Sequence, residues 1–290
     1  MNEQVRIPAY GADKAIIFDI QHNAVVDGPG IRTTVFFKGC NLRCRWCHNP
    51  ESQRPEPQLL FYRDRCKHCG KCLEKCPNRL ERCDLCGKCA DYCPAEARQI
   101  CGRPRTVDEV MDEILADRVF YETSGGGATF SGGECMLQLD FLKKALERCR
   151  ENGVSTAVDT AGCVPYSSFE AVIPYTDLFL YDIKMTDAEK HRKYTGADNA
   201  IILANLARLL EAGRRVWVRI PVMAGVNDSA EDALAVRAFF EEHGFPEKTE
   251  LLPYHGMGEG KYRAMGIEPE RFAPPDKERL SELSSILSPM

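Results

Sequence analysis

The segment FFKGCNLRCRWCHNPESQ, residues 36–53, places Cys40, Cys44 and Cys47 within eight positions. Thiolates so close together suit a metal ion or an iron–sulfur cluster, yet a tetrahedral ion and a four-iron cube each take four ligands. Either a distant cysteine completes the set, or one position stays open to a substrate or cofactor.

A second stretch, FYRDRCKHCGKCLEKCPNRLERCDLCGKCADYCPAEARQIC (61–101), is nearly an internal repeat. Cys66, Cys69, Cys72 and Cys76-Pro77 are echoed by Cys83, Cys86, Cys89 and Cys93-Pro94. C-x2-C-x2-C-x3-C-P is the bacterial ferredoxin run, in which three cysteines hold one [4Fe–4S] cluster and the fourth ligates the other. Two zinc sites are the alternative, but zinc ligands come as paired C-x2-C knuckles with longer separations, often with histidine. The repeat is complete in itself and offers no fourth ligand to the first loop. Of the remaining thiols, Cys149 falls mid-helix and Cys163 follows a glycine, where a buried apolar role is expected. Cys101 and Cys135 remain, and only Cys135, next to a glycine turn, is placed to complete the set. The favoured reading is an open iron.

Fifteen cysteines in 290 residues (32.6 kDa), eleven of them between Cys40 and Cys93, make metal or cluster ligation the leading use. Disulfides suit an oxidising compartment, and MNEQVRIPAYGADK at the N-terminus has no apolar signal core. No uncharged apolar run reaches 18 residues, and a net charge of −5 leaves no basic footprint for nucleic acid. A cytoplasmic protein that binds neither membrane nor nucleic acid is expected.

These ligands need a frame. TTVFFKG (33–39), GATFSGG (127–133), STAVDTAG, LFLYDIK, RVWVRIPV and TELLPYH are apolar or β-branched runs, and the later ones are separated by helical patterns such as LDFLKKALERCREN, NAIILANLARLLEAG and SAEDALAVRAFFEEHG. Six parallel strands joined by helices follow. Each ends on a chemically capable group: Cys40, Glu134, Asp159, Asp182 with Lys184, Arg219 and His255. Carboxyl ends of parallel strands gather at one mouth. Six strands fall short of a closed barrel, so the expected class is α/β, an open partial (β/α)6 barrel. Residues 1–60 carry its N-terminal part and the three-cysteine loop, 61–101 a ferredoxin-like insert with two [4Fe–4S] clusters, and 102–290 the rest, including one helix over VDEVMDEILADRVFYE and a C-terminal helix.

C-x3-C-x2-C after a strand, with Trp46 before the last cysteine, resembles the radical S-adenosylmethionine (SAM) superfamily. VDGPGIRTTVFFKGCNLRCRWCHNPESQ, SGGE, DTAG, YDIK, RIPVMAGVND and LLPYHGMGEGKY, running in order from residue 26 to 262, resemble the glycyl radical enzyme activating enzymes. The two-cluster insert is typical of the longer activases that serve dehydratases, decarboxylases and C–N or C–S lyases.

The resemblance implies a third [4Fe–4S] cluster on Cys40, Cys44 and Cys47, whose open iron binds the amino and carboxylate groups of SAM. Trp46 and His48 would lie near SAM. Gly132, Gly133 and Glu134 would meet its amino group, Lys184 and Asp182 (flanking Ile183) would contact it, His255 would lie by its nucleoside, and Arg219 joins this set. Asp159, Thr160 and Asp182 resemble the oxygen ligands of a monovalent cation. Asp27, in DGPGIR, would hydrogen-bond the glycine segment of a partner enzyme. The implied reaction is reductive cleavage of SAM to methionine and a 5′-deoxyadenosyl radical, which takes a hydrogen from that glycine. A ferredoxin or flavodoxin would supply electrons, relayed by the insert, and a monomer is the family expectation. Two rivals are a radical SAM enzyme acting on a small molecule or another maturation target, and a ferredoxin-like electron carrier.

Overall fold

The computed structural model describes residues 13–289; residues 1–12, most of the stretch read above for a signal, lie outside them. In chain order the elements begin with β1 (Lys14–Ala24), β2 (Arg32–Phe37), β3 (Gln58–Phe61), α1 (Lys71–Lys75), α2 (Lys88–Asp91), β4 (Arg98–Cys101) and β5 (Arg103–Thr106). They continue with α3 (Val107–Ala116), α4 (Arg118–Ser124), β6 (Gly127–Gly132), α5 (Leu139–Glu151), β7 (Ser155–Thr160), α6 (Tyr166–Val172) and β8 (Leu178–Asp182). The chain finishes with α7 (Ala188–Thr195), α8 (Ala200–Glu211), β9 (Val216–Val222), α9 (Ala230–His243), β10 (Lys248–Pro253), α10 (Glu259–Ala264) and α11 (Lys277–Leu287).

All six expected runs are strands, and they lie parallel in the order β10-β9-β8-β7-β6-β2. The sheet has two further strands that the pattern did not reveal. β1 pairs antiparallel to β2, and β5 antiparallel to β1, making eight. β5 reads RPRT, without a β-forming residue apart from its last; a proline is tolerated there because the strand is an edge. The expected single helix over 107–122 is two. Thr106 opens α3 with a capping box to Glu109. The helix then stops at Asp117, whose carboxylate is taken by His22 and Thr33 on the sheet.

Strand pleating sorts the side chains. Val35, Phe37, Phe130, Val158, Phe179, Tyr181, Val216 and Val218 share one core with Val110, Met111, Phe141, Leu142, Phe169, Leu206, Phe240 and Leu283 from the helices. The alternate positions face the other way. Ala157, Leu178, Leu180 and Trp217 form a separate apolar patch there, and the next residues along three of those strands are polar: Asp159, Asp182 and Arg219. The helices therefore cover one face and leave the opposite face for chemistry.

The cysteine-rich segment is closed by its own stem, β3 paired antiparallel to β4 with Phe61 opposite Arg98, so it opens at Gln58 rather than residue 61. Between the stem strands it has little apolar interior: Leu73, Leu80, Leu85 and Tyr92 are exposed. His68, Arg79, Leu80, Leu85 and Glu96 hold positive φ, a conformation that costs an L-residue about 1–2 kcal/mol. Something other than a hydrophobic core must hold such loops.

Candidate active site

The loop after β2 carries Cys40, Cys44 and Cys47. Lys38, fully buried, donates from Nζ to the carbonyls of Glu51 (2.6 Å) and Arg54 (2.9 Å) and to Gln58 Oε1 (2.8 Å), tying the loop's start to its exit and to the insert stem. The Arg43 and Arg45 N–H groups donate to the Thr195 and Tyr194 carbonyls at the end of α7, at 2.7 and 3.0 Å. Burial pushes the Cys40 thiol well up, the Cys44 thiol up to about 12, and Cys47 up as well. Lys184 opposes the rise at Cys44 and at Cys47. Three mutually close, desolvated thiols beside a lysine suit iron, which displaces their protons.

None of the other four thiols joins them. Cys135 is fully buried and donates to the Asp159 carbonyl at 3.6 Å, Cys149 faces Met111, and Cys101 lies by the Glu51 carbonyl and Lys38. Cys163 lends its backbone carbonyl to Asn41 Nδ2, while the charges acting on its thiol are Glu134 and Asp198. The loop stays one ligand short.

Gly132 and Gly133 are required by the neighbouring backbone. A Cβ on Gly132, at φ +109°, would stand 2.3 Å from Phe37 N, and one on Gly133 would stand 2.2 Å from Gly39 O. The glycines thus bring β6 hard against the cysteine loop, sealed by Glu134 N–H donating to Gly39 O at 2.8 Å. The Glu134 carboxylate is fully buried and accepts from Thr160 Oγ1 (2.9 and 2.8 Å), Ala161 N (3.2 Å) and Met136 N (3.3 Å). Burial raises its pKa to about 7 against those donors.

Across the open face runs a polar chain over four adjacent strands. Ser131 Oγ donates to Asp159 Oδ2 at 2.6 Å, and Arg219 bridges Asp159 Oδ1 and Asp182 Oδ1, the latter at 3.1 Å. Lys184 Nζ pairs with Asp182 Oδ2 at 2.6 Å. Asp182 and Lys184 point the same way, as alternation predicts, while the Ile183 side chain is buried in the core, leaving only its backbone toward the mouth. Arg219 is mid-strand rather than terminal, and reaches the site because its position has the inward parity. Burial raises Asp159, with Arg219 opposing. For Asp182 the burial penalty is outweighed by Arg219 and Lys184, so it stays low. The expected cation ligands do not converge. Thr160, next to Asp159, points to the other face and serves Glu134, whose carboxylate therefore lies on the helix-covered side and not at the mouth as expected, and both aspartates already face fixed cations. The side chains of Asp159, Thr160 and Asp182 do not fit a monovalent cation here.

The rim is aromatic. Trp46 is 6% exposed, with its ring 6.0 Å from Tyr194 and 5.8 Å from Phe272, at 88° to the latter. It anchors the loop in an aromatic cluster and does not face the mouth as expected. His48 stacks on His255 at 4.0 Å on the solvent side; desolvation, then the charges of His255 and Lys184, hold its imidazole below the ordinary value. Two residues of the GEGKY run went unmarked in the sequence. Lys261 Nζ holds Asn49 Oδ1 (2.6 Å) and Glu51 Oε1 (2.7 Å), and the Tyr262 hydroxyl donates to Arg45 O at 3.5 Å. Both strap the loop from outside; a lysine and tyrosine following a glycine pair were the available signal. Asp27, below the polar chain, accepts from Thr34 Oγ1 at 2.8 Å, and its charge acts on Arg219. Val25 and Val26 beside it are exposed.

The insert cysteines gather in crossed sets. Cys66, Cys69 and Cys72 line a cavity of about 270 Å³ together with Cys93 from the second run. The charges acting on Cys89 are those of Arg98, Cys76, Cys83 and Cys86. Among the described residues no three Cys, His, Asp or Glu close on one point tightly enough for a single ion. A four-iron cube needs its thiolates farther apart than an ion does, so the crossed sets, the cavity and the left-handed loops fit clusters better than zinc.

The sequence pattern of the radical SAM superfamily matches residues 74–236, more than half the chain though beginning after the three-cysteine loop, and a 4Fe-4S binding domain pattern matches residues 63–79. The chain belongs to the radical SAM superfamily, in its branch of glycyl radical enzyme activating enzymes. It is 42% identical over 93% of its length to the trans-4-hydroxy-L-proline dehydratase activating enzyme of Clostridioides difficile, covering 95% of that protein. It is 40% identical to the choline trimethylamine-lyase activating enzyme of Oleidesulfovibrio alaskensis, over 88% of both chains. A radical SAM methyltransferase from Sphaerobacter thermophilus shares the fold at 16% identity, with a TM-score of 0.56 over 93% of this chain and 74% of that one. No helix among the described residues is long and apolar enough to cross a membrane.

Proposed function

We propose that this protein activates a glycyl radical enzyme by reductive cleavage of SAM. The observation that carries the reading is the loop of Cys40, Cys44 and Cys47, with no fourth thiol at hand and Lys184 against Cys44, in a chain about 40% identical to activating enzymes. When bound, the cluster supplies one electron to the SAM sulfonium, yielding methionine and a 5′-deoxyadenosyl radical that abstracts hydrogen from a glycine of the partner. The chain's own residues hold and shield. Gly132 and Gly133 would let SAM approach their backbone closely, Glu134 would brace that turn from the helix-covered side through Thr160, and Lys184 and Arg219 would meet the SAM carboxylate. His48 and His255 flank the rim where the nucleoside would stack, and Asp27 would accept from the partner's glycine segment. The sheet would act as a partial barrel, its open side admitting that segment. The insert is read as a ferredoxin-like module whose two closed clusters bring electrons from a ferredoxin or flavodoxin. Because the relatives serve a dehydratase and a lyase among others, the partner stays a class, an enzyme with an R-V-x-G-[FWY]-like segment.

The test is anaerobic incubation with SAM and dithionite, read for 5′-deoxyadenosine, followed by addition of such a partner and electron paramagnetic resonance (EPR). The expected result is 5′-deoxyadenosine production and a doublet glycyl radical. No SAM cleavage under any reductant favours the electron carrier; cleavage without a glycyl radical in any partner favours a small-molecule enzyme.

A further inference from the structure

Arg98 opens β4 at the base of the insert, opposite Phe61 in the stem. Its guanidinium lies over the Phe61 ring, 4.4 Å from the centroid. Among the described residues it makes no ion pair, and its Nε is buried with no hydrogen-bond partner. A buried charged donor without an acceptor is costly, so a native protein normally supplies one. The residue lines the cavity that Cys66, Cys69, Cys72 and Cys93 share. The same cation acts on Cys89 of the second set.

We propose that Arg98 is the potential-setting residue of the insert: its unpartnered Nε–H donates to a sulfur of the cluster held by Cys66, Cys69, Cys72 and Cys93, and its charge favours the reduced state. N–H donors to cluster sulfur and nearby positive charge both stabilise the more negative, reduced form. The second set feels the charge, which acts on Cys89, without the donor. One arginine thereby makes two clusters of near-identical sequence unequal, which gives an electron a direction. The inference rests on the two-cluster reading of the insert.

The experiment is an EPR-monitored potentiometric titration of the full reconstituted chain, as wild type, Arg98→Gln and Arg98→Lys, with iron and sulfide counted in each. Wild-type iron well below about twelve atoms per chain sinks the two-cluster reading itself. With clusters present, Arg98→Gln should lower one insert component so that its reduced-to-oxidised ratio at fixed poise falls about tenfold, or about 59 mV for a one-electron couple. Arg98→Lys, keeping charge but losing the fixed donor, should give a smaller fall. The SAM-sensitive catalytic component should not move. Should Arg98→Gln lose the cluster, Arg98→Lys decides. An unchanged insert midpoint in the decisive variant overturns the proposal.

Discussion

Trp46 offers a test that separates two readings of one residue. By family resemblance its ring lies near SAM; in the structure it is clamped between Tyr194 and Phe272 and is 6% exposed. Truncating a buried tryptophan costs about 3–5 kcal/mol, and each aromatic pair adds about 0.5–1.5 kcal/mol to the area term. Beyond Trp46, the loop around Cys44 and Cys47 is held by Arg43 N–H and Arg45 N–H on the α7 carbonyls, by the Arg45–Glu270 ion pair and by Tyr262. The loss therefore falls on local opening of the cysteine loop more than on global unfolding. At about 1.4 kcal/mol per decade, 3–5 kcal/mol raises the open population more than a hundredfold. Trp46→Ala should release iron to a chelator at least a hundredfold faster from the SAM-sensitive cluster, leaving the insert clusters untouched. Trp46→Phe, which keeps an aromatic ring in the clamp, should recover most of the retention and bind SAM normally. Chelator kinetics with EPR readout checks both. Iron release within threefold of wild type in Trp46→Ala would refute the anchor. So would a Trp46→Phe variant that keeps its cluster but loses SAM affinity, since that puts the ring on the ligand.

Two further outcomes follow from the same geometry. Glu134, raised from 4.5 to about 7 chiefly by burial, is mostly protonated at pH 6 and mostly ionised at pH 8. Its raised value weakens folding as pH climbs from about 4.5 to 7, by roughly 3 kcal/mol in all. The stability of the wild type relative to Glu134→Gln, which stays neutral, should therefore fall between about pH 5 and pH 8; denaturant unfolding that gives the two the same pH profile would refute the buried, raised carboxyl. For the insert, Cys66→Ser and Cys83→Ser should slow reduction of the catalytic cluster by flavodoxin while SAM binding and dithionite-driven SAM cleavage persist. Unimpaired activation with the protein reductant would assign the insert a structural or docking role instead.

The candidate ligands were legible because thiols close in the chain stay close in the fold: Cys40, Cys44 and Cys47 lie on one loop, and Cys93 joins Cys66, Cys69 and Cys72 at one cavity within a single module. The six parallel strands were equally legible, since buried parallel strands read as continuous β-branched and aromatic runs. β5 escaped notice because RPRT has almost no strand propensity and forms only where β1 offers it an edge. The site residues that shifted role did so for reasons of parity and distance. Asp159 and Thr160 are neighbours in sequence and therefore point to opposite faces of the sheet, so one joins Arg219 and the other joins Glu134. Alternation alone could have separated them.

Distance is the harder limit. The partners of Trp46 arrive from α7 and from Phe272, and those of Glu51 and Asn49 arrive from Lys261; nothing in a local window announces such meetings. These long-range contacts all converge on the three-cysteine loop: Lys38 from beneath, α7 at its side, Lys261 and Tyr262 from outside, and Gly133 at its start. A loop with three thiols and no fourth would leave one corner of a four-iron cluster without a covalent tie to the chain. Its geometry must then come from protein contacts if the open iron is to face one direction. Apart from Lys38, the groups that hold the loop lie outside its C-x3-C-x2-C spacing, in the SGGE and GEGKY runs and at the end of α7, so that spacing alone could not announce them.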